Sequence, residues 1–156
     1  MCGIAGVIYK DKKTHPVGEA LTSMLESLQH RGPDSAGYSI YGSLNYPENN
    51  YQLNIEVQRK KGVLDNLKSL LTQISPIFEE ELVKSVGDSD VYKCKIALDE
   101  YSLLKPCINE IDELENVRVI NGSHSFEMIK DVGEVKDIAK RFDVANRMGT
   151  HGIGHT

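Results

Sequence analysis

Two hydrophobic rhythms alternate along the 156-residue chain. The opening "CGIAGVIY" is a short apolar run that predicts a buried strand, with Gly3 and Gly6 permitting close backbone approach. In "PVGEALTSMLESLQHR" the apolar Val17, Leu21, Met24, Leu25 and Leu28 fall on one helical face. Pro16 near its start and Gly32 beyond its end are the expected helix punctuation. "GYSIYG" and "YQLNIEVQ" predict strands on either side of the turn-rich "SLNYPENN". "GVLDNLKSLLTQI" predicts a helix, and "SPIFEEELVKSV" a second one opened by Pro76. "VYKCKIAL" alternates like a strand, and "DEYSLLKPCINEIDELE" is helical by period, with Pro106 kinking it or shifting its start. "NVRVINGSHSFEMIKDV" predicts a hairpin turning at Asn121-Gly122, the favoured type I′ pair. "GEVKDIAKRF" predicts a last helix, and "GTHGIGHT" a glycine-rich strand that stops abruptly.

Composition narrows the partners. A net charge of −5 and an isoelectric point near 5.5 argue against a nucleic-acid-binding face. The one basic run, "QRKKG", reads as a solvated loop. No segment has the length of a membrane span or the basic-then-apolar order of a secretory signal. Three cysteines, Cys2, Cys94 and Cys107, are an odd number at spacings that suggest no disulfide framework, which fits a reduced, cytoplasmic protein. The sequence points to no cofactor. His151 and His155 would suit a metal on a helix, but on a strand they lie about 13 Å apart, too far for one ion.

The candidate chemistry sits at Cys2. Removal of Met1 would leave a thiol and a free α-amine on one residue. Only the thiolate is a nucleophile, and an α-amine titrating near pH ~7.7–8.0 can take its proton. The bland alternative is a small apolar residue opening a strand. A second candidate is "LQHRGPDSAG", Leu28 to Gly37, where a helix ends in a Gly-Pro turn and Asp34 and Ser35 can satisfy loop amides. Arg31 and Asp34 could present a charge pair there.

"MCGIAG", then "QHRGPDSAG", then "HGIGHT", in that order, resemble the glutaminase domain of class II (N-terminal nucleophile, Ntn) glutamine amidotransferases. The middle of the chain and "SFEMIKDVG" look most similar to the amidotransferase proteins of glutamate-synthase and N-methylglutamate-synthase type. The resemblance implies an α+β, Ntn-hydrolase four-layer α/β/β/α sandwich, present in part. It implies a glutamine amidotransferase type 2 domain over residues 1–58 and 123–156, interrupted by an inserted helix-rich βαβ-like unit over 59–122. It implies Cys2 as nucleophile, with its own amine as base. Arg31, Gly32, His155 and Thr156 would frame the substrate site, with Asp34 and Ser35 in the supporting loop. The reaction implied is L-glutamine to L-glutamate and ammonia through a γ-glutamyl thioester, with a synthase domain or subunit accepting the ammonia. The family's carboxylate-binding arginine would follow Thr156, and its oxyanion-hole Asn-Gly and amine-binding acid would lie further on. The chain is therefore expected to be the N-terminal piece of a longer protein, inactive alone. Asn121-Gly122 stands in the wrong order to be that oxyanion pair. Two other readings stand beside this one: a non-catalytic regulatory or scaffolding subunit retaining the fold, or an N-terminal nucleophile hydrolase of another amide.

Overall fold

A computed structural model describes residues 2–11, 13–42 and 49–156. Met1 and most of the "SLNYPENN" turn lie outside the described residues. In chain order the elements are β1 (Ile4–Ile8), α1 (Val17–Leu28), β2 (Ser35–Tyr41), β3 (Asn50–Gln58), α2 (Val63–Ile74), β4 (Ile77–Lys84), β5 (Ser89–Ala97), α3 (Leu104–Asp112), β6 (Val117–Ser123), β7 (Phe126–Val132), α4 (Val135–Arg141) and β8 (His151–His155). The fold is α+β, and its strands form two four-stranded antiparallel sheets. Contacts divide the chain into one unit of Met1–Asn45 with Ser125–Thr156 and another of Tyr46–His124.

The first unit holds the sheet β1-β8-β2-β7. Helix α1 buries Val17, Leu21 and Leu25, the inner half of the stripe expected from sequence, while Met24 stays exposed. The "GIG" of β8 lets this helix sit close. A Cβ on Gly152 would lie 2.7 Å from Val17 Cγ1, and one on Gly154 would lie 2.6 Å from Leu25 Cδ1. Helix α4 buries Val135, Ile138 and Ala139 in the same unit. Strand β1, expected to be buried, is instead an edge strand with Ile4 and Ile8 exposed.

The second unit holds the sheet β4-β5-β3-β6 with α2 and α3 on one face. Its core joins Leu53, Ile55, Leu67, Leu71, Tyr92, Ile96 and Ile111. Three expectations are corrected here. First, β3 pairs with β5 and β6, so this unit begins at Tyr46 rather than at residue 59. Its strands are all antiparallel, unlike a βαβ unit. Second, "SPIFEEELVKSV" forms the edge strand β4 rather than a helix. Partners on β5 and α2 override the helical preference of its glutamates: Glu79 pairs with Lys95, and Glu80 accepts hydrogen bonds from Lys68 of α2 and the Tyr92 hydroxyl. Third, Asn121-Gly122 is no hairpin turn. Both residues lie inside β6, opposite Asn54 and Leu53, and β7 joins the other unit's sheet beside β2. The apolar pairs Ile55↔Val119 and Val57↔Val117 favour that ladder over the local turn signal.

Candidate active site

The antiparallel register of the first unit sets side chains in rows across its sheet. Paired residues share a face, and successive residues alternate between faces. The helix-covered face carries the rows Ala5–Gly154–Tyr38–Ile129 and Val7–Gly152–Ile40–Glu127. The other face carries Ile4–His155–Gly37–Lys130, then Gly6–Ile153–Ser39–Met128, then Ile8–His151–Tyr41–Phe126. Ile4, Ile8 and Ile153 on that face are 69, 76 and 48% exposed.

A groove of about 430 Å³ runs over the first two of those rows. Exposed Cys2 stands at it, just ahead of Ile4, together with His155, Ser39, Met128 and Lys130. Gly37 shapes its floor: a Cβ there would lie 2.6 Å from His155 Nε2, so the imidazole lies across bare backbone. Beneath the groove, Tyr38 donates its hydroxyl to Val135 O at 3.4 Å, and burial pushes its phenol up from the usual value.

The other two thiols are poor nucleophiles. Cys94 and Cys107 are buried in the second unit, and burial pushes their thiols up to about 12 and about 11. At neutral pH both stay protonated.

Of the residues expected at the site, the structure brings Cys2 and His155 to one groove. Arg31 is exposed in a 3-10 turn over Gln29–Arg31 and does not line the groove. No ion pair joins it to Asp34 among the described residues. Gly32 packs on the end of β8, where a Cβ would lie 2.3 Å from the Thr156 carbonyl carbon. Asp34 accepts the Gly133 N–H through its backbone carbonyl at 2.9 Å, and Ser35 opens β2 opposite Val132. Thr156 is turned inward and buried. His151 belongs to a different row, stacked on Tyr41 at 4.6 Å between ring centres. Among the described residues no cluster of three or more His, Cys, Asp or Glu side chains is placed to hold a metal ion. No described helix is long and apolar enough to cross a membrane.

Sequence reasoning missed Gln29, Met128 and Lys130. Gln29 Nε2 donates to Gly32 O at 3.1 Å while its Oε1 accepts the Val135 N–H at 2.6 Å, tying the turn to the start of α4. Met128 and Lys130 reach the groove only because β7 pairs with β2, a partnership the expected hairpin concealed.

Comparison with known proteins points the same way. Residues 1–49 match the family model of the glutamine amidotransferase domain. The chain is 56% identical over 156 residues to a Methanothermobacter thermautotrophicus protein named "Putative glutamine amidotransferase", covering 100% of this chain and 51% of that protein. It is 33% identical over 157 residues to the glutamine amidotransferase-like protein GlxB of Rhizobium meliloti, covering 49% of it. Over 40 residues, 26% of this chain and 7% of the relative, it is 48% identical to an isomerizing glutamine–fructose-6-phosphate aminotransferase of Pyrobaculum aerophilum. The chain spans about half the length of the first two relatives.

Proposed function

We propose that this chain carries the nucleophile of a class II, Ntn-type glutaminase. The observation that carries the reading is the contrast among the three thiols: Cys2 stands exposed at a groove, while Cys94 and Cys107 are buried and held protonated. After Met1 removal, the α-amine of Cys2 takes the thiol proton. The thiolate attacks the carboxamide carbon of L-glutamine and forms a C–S bond and an oxyanion. Collapse of that intermediate breaks the C–N bond. The ammonium formed on Cys2 protonates the departing nitrogen, releasing ammonia and leaving a γ-glutamyl thioester. The freed amine then takes a proton from water, whose oxygen attacks the thioester to give glutamate and return the thiol.

His155 frames the substrate in this reading, and the turn of Arg31, Gly32, Asp34 and Ser35 supports the end of β8 from outside the groove. A glutaminase of this class also needs a guanidinium for the substrate carboxylate and donors for the oxyanion, and the first two relatives are about twice the length of this chain. In this reading the exposed sheet face with Ile4, Ile8 and Ile153 is an inner face of an Ntn-type four-layer sandwich. The ammonia passes to a synthase domain or subunit in the cytoplasm.

The test is glutamate and ammonia release from L-glutamine by the protein made from its complete reading frame. Turnover is expected in the parent protein, and Cys2→Ala removes it. Undiminished turnover in Cys2→Ala would overturn the assignment.

A further inference from the structure

Thr156 is 3% exposed, and its backbone and side chain both engage the residue that follows Cys2. Its hydroxyl accepts the Gly3 N–H at 3.1 Å and donates to Leu28 O at 3.3 Å. Its own N–H donates to Gly3 O at 2.9 Å. The hydroxyl thus uses one lone pair on the buried Gly3 amide and its proton on the part-buried Leu28 carbonyl. One of these, the Leu28 carbonyl, stands where α1 passes into the 3-10 turn over Gln29–Arg31. Gly3 has no slack between them: a Cβ there would lie 2.8 Å from Leu28 Cβ and 2.9 Å from Thr156 Oγ1.

Once Met1 is gone, Cys2 is joined to the protein through a single peptide plane, the one whose N–H is that of Gly3. Rotation of that plane would swing the thiol and the α-amine together. The bond from Gly3 N–H to Thr156 Oγ1 holds the plane, and the Leu28 carbonyl holds the hydroxyl in turn. We propose that Thr156 is a positioning residue for Cys2, orienting the nucleophile and its base through the Gly3 amide rather than contacting glutamine. This inference rests on the reading of Cys2 given above, and it departs from the placement of Thr156 in the substrate site.

Two variants separate the roles. Thr156→Val keeps the shape of the side chain but strands the buried Gly3 N–H, whereas Thr156→Ser keeps the hydroxyl. A nucleophile displaced by about 1 Å loses on the order of 10²-fold in rate. In the protein from the complete reading frame, Thr156→Val is therefore expected to lower kcat for L-glutamine by about 10²-fold, with KM within about twofold of the parent. Thr156→Ser should restore most of kcat. A kcat for Thr156→Val equal to that of the parent, or a change confined to KM, would overturn the proposal.

A parent protein without glutaminase activity would overturn the reading of the site instead. The alkylation rate of Cys2 by iodoacetamide as a function of pH then decides the role of Thr156: a profile altered in Thr156→Val and restored in Thr156→Ser supports positioning, and identical profiles reject it. If Thr156→Val does not fold, amide exchange at Gly3 in the parent protein decides. Slow exchange supports the hydroxyl contact, and exchange at the rate of a free peptide rejects it.

Discussion

The N–H of Gly42 donates to the carbonyl of Ser125 at 3.1 Å, so the end of β2 and the start of β7 are already joined across the point where the second unit departs. Tyr41 and Phe126, one residue inward, face each other in the ladder with ring centres 5.1 Å apart. The second unit therefore leaves and re-enters the chain at the mouth of what would otherwise be a hairpin.

Excision should follow that geometry. Replacing Tyr46–His124 with a Gly-containing turn of two to four residues should give a soluble protein with the β2–β7 ladder intact. Removing only residues 59–122 should instead leave β3 without β5 and β6, exposing Tyr51, Leu53, Ile55 and Val57, and the product should aggregate. Solubility and thermal melting of the two deletions from the complete reading frame check this. Equal behaviour of the two would contradict the boundary.

Within the second unit, Leu67 and Leu71 are fully buried against the sheet. Residues 46–124 expressed alone should melt cooperatively, and Leu67→Ala should cost about 2–5 kcal/mol. Denaturant titration of the isolated unit measures both expectations.

Two glycines separate geometry from stability in the first unit. An alanine at position 37 meets only the tip of the His155 imidazole, which can swing aside. Gly37→Ala should therefore leave the melting temperature nearly unchanged while lowering turnover through the displaced ring. An alanine at position 32 meets the backbone carbonyl carbon of Thr156 at 2.3 Å, which cannot swing. Gly32→Ala should cost about 1–3 kcal/mol, the usual range for overpacking. Melting curves of both variants beside their kcat values check the contrast.

Much of the fold was legible because local pattern and tertiary context agree. The stripe of α1, the alternation of β3 and β5, and the period of α2 all predict what forms. Local preference failed where partners distant in sequence decide. Glu79 and Glu80 favour a helix until Lys95, Lys68 and Tyr92 stand opposite them. Asn121-Gly122 favours a turn until β3 offers a ladder. At the candidate site, motifs single out Cys2 and His155, which line one groove, whereas Lys130 and Gln29 enter only through contacts that no short stretch of sequence contains.

The buried thiols set an alkaline limit. Burial is the main cause that lifts Cys94 to about 12 and Cys107 to about 11, above the ordinary 9.0. The unfolded chain releases these protons first, so their contribution to stability is fully present below about pH 9 and is lost as pH rises toward 11 and 12. The denaturant midpoint should fall from pH 8 to pH 10, and it should fall less in a Cys94→Ala, Cys107→Ala double variant. An equal slope in the variant would remove the thiols as the cause.

The groove itself predicts that residues 1–156 alone will not turn over glutamine. Among the described residues no arginine lines it, so none of them can hold the substrate carboxylate through two parallel hydrogen bonds. Glutamate release from the isolated chain should stay at background, and robust turnover would show that binding needs no such residue.

The central claim is that the thiol of Cys2, at a mature N-terminus, is the one that attacks glutamine. The most direct measurement is mass spectrometry of the protein from its complete reading frame after incubation with a chloroketone analogue of L-glutamine. The account predicts a chain lacking Met1 that carries one adduct, mapped to Cys2 and suppressed by excess L-glutamine. An adduct on Cys94 or Cys107, or labelling at Cys2 that glutamine does not suppress, would contradict it.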